Sequence, residues 1–175
     1  MNVTRADIRR KFVELLTDRT DVAERVFQNR ARQLWPEELP AILVYSRNEN
    51  ITEFESAPRS VQRELRMAVE IVAKADEAVD DQLDAIAEQV EAIIQADDTL
   101  GGTVSDCLIS DVEMGVAGEG ETVFGSAILT FRVVYFREVV AQPDELGDLE
   151  TVNIQYDLQN SDVATIEAED RINIE

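Results

Sequence analysis

The residues best able to do chemistry are few in this sequence, and the most consequential is one it lacks. There is no histidine among its 175 residues. That removes the usual general base near neutral pH and the commonest protein ligand of zinc, so Ser-His-Asp, Cys-His and HExxH chemistry are excluded. Cys107 is the only cysteine, which rules out an intrachain disulfide and a thiolate zinc cluster. Its place in an alternating apolar segment marks a buried, inert thiol rather than a nucleophile. Lys11 and Lys74 are the only lysines, and both lie in amphipathic stretches where a solvated ammonium accounts for them.

Two further patterns invite a chemical reading. Gly115, Gly118 and Gly120 resemble a phosphate-binding loop in composition. A phosphate cradle, however, opens a helix and is helped by positive charge, whereas this stretch joins two β-rich runs and carries Glu119 and Glu121. It reads as a hairpin reversal. The acidic pairs Asp80-Asp81 and Asp97-Asp98 and the Glu119 to Glu121 loop offer oxygen ligands to a hard cation. None has EF-hand spacing, so they read as solvated faces and helix-terminus charges. A glycosidase-like carboxylate pair would meet only in space, and among 37 acidic residues the sequence singles out none. No catalytic residue, cofactor site or metal site is expected.

Composition points the same way. The chain is 45% apolar and 30% charged, as a folded domain of this length should be. One domain over 1–175 is expected, with residues 138–175 as a variable acidic extension. The apolar runs fall well short of the roughly 20 residues that span a membrane, and Met1 to Lys11 has no signal-peptide core, so synthesis in the cytoplasm is expected. The net charge of −21 is uneven. Residues 1–75 carry 13 Lys+Arg and 12 Asp+Glu, whereas residues 76–175 carry 3 and 25. Such a field repels phosphate backbones and anionic membranes. It serves either simple solubility or a surface that nucleic acid must pass without sticking.

The elements that would position these groups follow from periodicity. Thr4 and Asp7 form a capping-box start, and Ile8, Phe12, Leu15 and Leu16 recur at helical spacing, which predicts a helix over 5–18. Thr20 to Trp35 is a connection with short ordered pieces, ended by Pro36 and Pro40. Ala41 to Ser46 is a short buried strand, and Arg47 to Arg59 reads as an exposed loop or ragged hairpin. Over 60–75 intrinsic propensity favours helix, but Val61, Leu65, Met67, Val69, Ile71 and Ala73 share one parity, which predicts a long strand. Arg63 is the exception on that apolar parity.

Val79, Leu83, Ile86, Val90, Ile93 and Ile94 then mark a helix over 77–96, and Gly101-Gly102 supplies its left-handed exit. Residues 104–114 and 123–137 form a long hairpin. Val152 to Tyr156 reads as another strand, and Ile172 and Ile174 as a short edge strand or a fraying end. The fold class is α+β: an antiparallel or mixed sheet with two main helices packed on it and a long β-hairpin in the C-terminal half.

Several stretches carry a family likeness: Glu24-Arg-Val-Phe-Gln-Asn-Arg30, Glu38-Leu-Pro-Ala-Ile-Leu-Val-Tyr45, Asp80-Asp-Gln-Leu-Asp-Ala-Ile-Ala87, Thr99-Leu-Gly-Gly102 and Gly125-Ser-Ala-Ile-Leu-Thr-Phe-Arg-Val-Val-Tyr135. In this order, across residues 1–137, the chain resembles the tail terminator and minor tail proteins of long-tailed bacteriophages and prophages. These motifs are hydrophobic patterns with turn residues, not chemical signatures.

The resemblance implies a small α+β subunit of a homo-hexameric ring that caps the tail tube, stops its polymerisation and joins the head. Its partners would be itself, the tail tube and head-completion proteins. DNA would pass through the ring without tight binding, and no membrane would be involved. The subunit would sit in the bacterial cytoplasm during assembly and in the virion tail afterwards. No functional residue is carried over from the family. Contact with a neighbouring subunit or the tube is expected at Leu39, Pro40, Asn48, Asn50 and Phe54. Two other classes compete: an acidic binding module or DNA-mimicking regulator of a host protein, and a hydrolase built on two carboxylates that meet in space.

Overall fold

Where helical and strand periodicities compete in this chain, burial decides between them. In the computed structural model, residues 2–28, 34–75, 78–119, 122–140, 151–156 and 168–173 are described. Residues 2–139 belong to one compact unit and 140–173 to a second. In the first unit the order is α1 (Arg5–Leu16), β1 (Val26–Gln28), a 3-10 turn (Pro36–Glu38), β2 (Ala41–Ser56), β3 (Arg59–Lys74), α2 (Val79–Gln95), β4 (Asp106–Glu119) and β5 (Thr122–Glu138). The second unit contains an antiparallel pair, β6 (Thr151–Tyr156) and β7 (Ala168–Asn173). The expected strand at 152–156 is therefore present, and the one expected around Ile172 is the end of β7, while Ile174 lies outside the described residues.

α1 begins where the capping box places it. The Asp7 N–H donates to Thr4 Oγ1 at 3.2 Å and the Thr4 N–H donates back to Asp7 Oδ2 at 3.0 Å, so two otherwise orphaned donors are satisfied. Ile8, Phe12 and Leu16 are buried along one stripe, and Phe12 meets Phe131 edge-to-face with centroids 5.4 Å apart. α2 buries Val79, Leu83, Ile86, Val90 and Ile94, the residues its periodicity selects, with Asp80 and Asp81 in the first turn. Gly101 and Gly102 follow at φ 72° and 75°.

The sheet has the order β1-β2-β3-β5-β4. β1 runs parallel to β2, and all other neighbours are antiparallel. In β3, Leu65, Met67, Val69, Ile71 and Ala73 face the helices; in β5, Ala127, Leu129, Phe131, Val133 and Tyr135 do. Fifteen paired positions, from Ser60↔Glu138 to Lys74↔Phe124, join β3 to β5. β3 is therefore the strand its period-two pattern predicts, because a residue pattern with one buried face outweighs helix propensity of order a few tenths of a kcal/mol per residue. At Gly125 an added Cβ would lie 2.5 Å from Val79 Cγ2, so the absence of a side chain lets α2 lie close on β5.

Of the two readings of residues 47–59, the ragged hairpin holds and the loop is corrected: β2 continues to Ser56, paired with β3 down to Ser56↔Arg59. The alternation is hidden because the register shifts between Ser46 and Glu49 and again between Glu53 and Glu55, and each extra residue reverses which parity faces inward. Likewise Gly115 and Gly118 are strand residues of β4, paired with Ser126 and Val123. The ladder extends through Gly115 and Gly118 to Glu119↔Thr122, and Gly120 lies outside the described residues.

Candidate interaction surface

The β2 irregularity at Arg47 and Asn48 turns Glu49 onto the helix side of the sheet, where it meets Leu65 in register. Its carboxylate is 5% exposed. It accepts hydrogen bonds from Arg5 Nη2 at 2.6 Å, Arg63 Nη1 at 2.8 Å and the Tyr135 hydroxyl at 2.5 Å. Burial alone would raise this carboxyl, but the bonds from Arg5 and Tyr135 and the charges of Arg5 and Arg63 hold it below the usual carboxylate range. Burial, with the bond and charge of Glu49, pushes the Tyr135 phenol up. The cluster ties α1, β2, β3 and β5 together. Sequence reasoning missed Glu49, although Arg63 standing on the apolar parity of β3 was a signal of its buried partner.

Other groups with chemical potential are accounted for locally. Cys107 is buried and its thiol is pushed up to about 12, first by burial and then by Asp106 and Asp98, so it carries almost no thiolate at neutral pH. Among the described residues no group of three acids or thiols is arranged to hold a metal ion. Asp97 is occupied as a turn cap, accepting from the N–H groups of Thr99 and Gly101 at 3.0 and 2.6 Å. The acidic loop at Glu119 to Glu121 lies outside the residues whose side chains are described.

The face of the sheet opposite the helices carries even-numbered β3 and β5 side chains. Here Arg132 Nη2 meets Asp106 Oδ2 at 2.8 Å and Arg66 Nη1 donates to Ser110 Oγ at 3.2 Å. A shallow polar depression crosses this face, bordered by Arg47, Asn48 and Asn50 from β2 and by Asp111 and Glu113 from β4. At one end of the same face Phe54 packs against Phe136 with centroids 4.6 Å apart and the rings tilted by 53°, and both rings are exposed. Of the residues expected at an interface, Asn48, Asn50 and Phe54 therefore share one surface. Leu39 and Pro40 are half-buried at the opposite end of β2, where the Pro40 carbonyl accepts from Arg25 Nε at 2.7 Å.

Two sheet margins remain open among the described residues. β1 pairs with β2 only at Ile42, Leu43 and Val44, leaving the outer edge of Tyr45–Ser56 without a strand beside it. β4 is the other margin. In β4 the register shifts between Ile109 and Asp111, so inward parity changes from Cys107 and Ile109 to Val112 and Met114. Val112 and Met114 thus lie on the helix side yet are exposed, and Leu108 is exposed on the other side. Uncovered edges with apolar side chains on both faces are suited to protein contact.

The sequence profile of the family described as phage minor tail protein U matches residues 3–135. No curated protein matches the chain at a significant level.

Proposed function

Because the chain belongs to the phage minor tail protein U family, and its role is accordingly that of a structural component of a phage tail in contact with other tail proteins, we propose that it acts as a tail terminator. In this reading copies of the chain close into a homo-hexameric ring on the end of the tail tube, stop its growth and present a surface to the head. The family match over residues 3–135 carries the proposal. The two sheet edges without a neighbouring strand among the described residues and the exposed Phe54–Phe136 pair support it, since a ring subunit needs two different contact surfaces to meet its neighbours head to tail.

No catalytic step is part of this function. The acidic part of the chain beyond residue 75, which includes the exposed Asp80, Asp81, Asp84 and Glu88 of α2, lines part of the ring's hole, where a negative wall lets DNA pass without adhering. Residues 138–175 are a variable acidic extension of the chain in this reading. The test is mass photometry and electron microscopy of the full chain, alone and with purified tail tubes. Rings that cap tubes are expected. A chain that stays monomeric to high micromolar concentration and forms no ring with tubes present overturns the proposal.

A further inference from the structure

We infer that neighbouring copies join by main-chain pairing of two sheet edges: β4 of one copy lies antiparallel against the uncovered Tyr45–Ser56 stretch of β2 in the next, with Val112 opposite Ile51. The inference rests on the ring reading, and goes beyond it by naming the surfaces and their register.

Strand direction comes first. β2, β3, β5 and β4 are successively antiparallel, so β2 and β4, at the two margins, run in opposite senses. Rotation about a ring axis preserves the component of each strand along that axis, so strands that run along the axis keep their sense from copy to copy. Head-to-tail copies therefore bring β4 of one against β2 of the next in antiparallel alignment, and the alternation continues across the boundary. Both margins are long enough, β4 having 14 residues. β4 contains neither Pro nor Lys, two of the residues that usually blunt an exposed edge.

Parity then selects the register. Residues opposite one another across a ladder must point to the same face. Val112 points to the helix side, because it pairs with Leu129, and can face Ser46, Glu49, Ile51, Glu53 or Ser56, the helix-side residues of the Tyr45–Ser56 stretch. Of these Ile51 alone is apolar; with Val112 opposite it, Met114 comes opposite Glu49, which Arg5, Arg63 and Tyr135 already hold, and Ile109 opposite Glu53. Ile51 is apolar and 49% exposed, and Val112 is 41% exposed.

The same register works on the other face. Ser110 is the extra residue of the β4 irregularity; skipping it sets Leu108 opposite Phe54, both on the face away from the helices and 51% and 55% exposed. The acids of β4 then meet uncharged residues, Asp111 opposite Thr52 and Glu113 opposite Asn50, which avoids the like-charge pairs that destabilise a ladder. The rival contact, β4 against β4 about a two-fold axis, would gather Asp106, Asp111 and Glu113 of both copies along one seam and would close as a dimer rather than a ring.

The experiment uses full-length chains in a Cys107→Ala background, one carrying Ile51→Cys and one Val112→Cys. Opposed antiparallel residues have Cα atoms about 4.5–5.5 Å apart, within the reach of a disulfide. Particle mass is measured first. Mild oxidation of the mixed oligomer should then link Ile51→Cys copies to Val112→Cys copies, with little linkage in either variant alone, and the double variant should give a ladder of covalent oligomers. Hydrogen exchange on the otherwise unmodified chain should slow about tenfold or more at amides within 45–56 and 106–119 on assembly.

Rings of the expected mass whose two edges exchange as fast as in the monomer, or Val112→Cys copies that cross-link efficiently to themselves, overturn the edge pairing and leave the terminator reading standing. Monomers that persist with tubes present overturn both.

Discussion

Arg63 Nη1 lies 2.8 Å from Glu49 Oε2 across the β2–β3 ladder, with the two side chains only 17% and 5% exposed. Each is diagonal to the other on the helix side of the sheet, since Glu49 pairs with Leu65 and Ile51 with Arg63. A carboxylate in that position would be costly alone and is tolerated because Arg5 and Tyr135 complete its shell. The bulge that creates this contact also sets the face on which Asn50 to Glu53 appear, until the second register shift of β2.

Removing the carboxylate should therefore be expensive. Glu49→Ala leaves Arg63 buried without its partner, and we expect a loss of about 3 kcal/mol, read as a lower urea midpoint at unchanged m-value. Arg5 is 54% exposed, so Arg5→Ala should cost less than about 1 kcal/mol. Equal losses for the two would show that burial does not set the energetics of the cluster.

Acidification provides a second measurement on the same group. The Glu49 carboxyl is held below its ordinary value in the folded chain, so its contribution is present above the unfolded pKa of about 4.3 and is lost as pH falls through the folded value. Because the whole chain also sheds negative charge on acidification, the quantity to follow is the stability difference between the wild type and Glu49→Gln. It should be constant from pH 5 upward and shrink below about pH 4. A difference that stays flat into acid would mean Glu49 gains nothing from its neighbours.

At Gly125 the expected outcome is steric. Ala there places a Cβ 2.5 Å from Val79 Cγ2 and 3.1 Å from Leu83 Cδ1, forcing α2 away from β5 at a cost of about 1–3 kcal/mol. The companion Gly125→Ala/Val79→Ala should recover part of the loss, measured by thermal melting. Absence of any recovery would place the strain elsewhere.

Cys107 should be slow to alkylate. Buried, and with its thiol pushed up to about 12, it should react with iodoacetamide at pH 7.5 at least about a hundredfold more slowly in the folded chain than in urea, because thiolate and access are both scarce. Comparable rates, followed by mass spectrometry, would contradict its placement.

Nucleic acid should not bind. With a net charge of −21, the chain should give no shift of double-stranded DNA in native gels at micromolar protein and about 0.1 M salt, since there is little cationic surface to release counterions. Salt-sensitive binding under these conditions would contradict the passive wall assigned to the acidic region.

Much of this protein is determined by residue pattern alone. The Thr4–Asp7 cap, the apolar stripe of α2, the alternation of β3 and the glycine exit at 101–102 each encode a local conformation, and a local rule reads each one. So did the order of those elements, which carried the family likeness that the profile match supports. Of the residues expected at a contact, Asn48, Asn50 and Phe54 are exposed and share a face, whereas Leu39 and Pro40 lie at the far end of the same strand. What only the tertiary structure decided is everything that depends on bulges and partners. One extra residue near Arg47 and another at Ser110 reverse the parity of β2 and β4 without leaving a compositional mark. Periodicity is a property of one strand, but which face a residue occupies is settled by the ladder it joins. Hence Glu49 became a buried ion and Val112 an exposed edge residue for reasons that lie in their neighbours, not in their own segments.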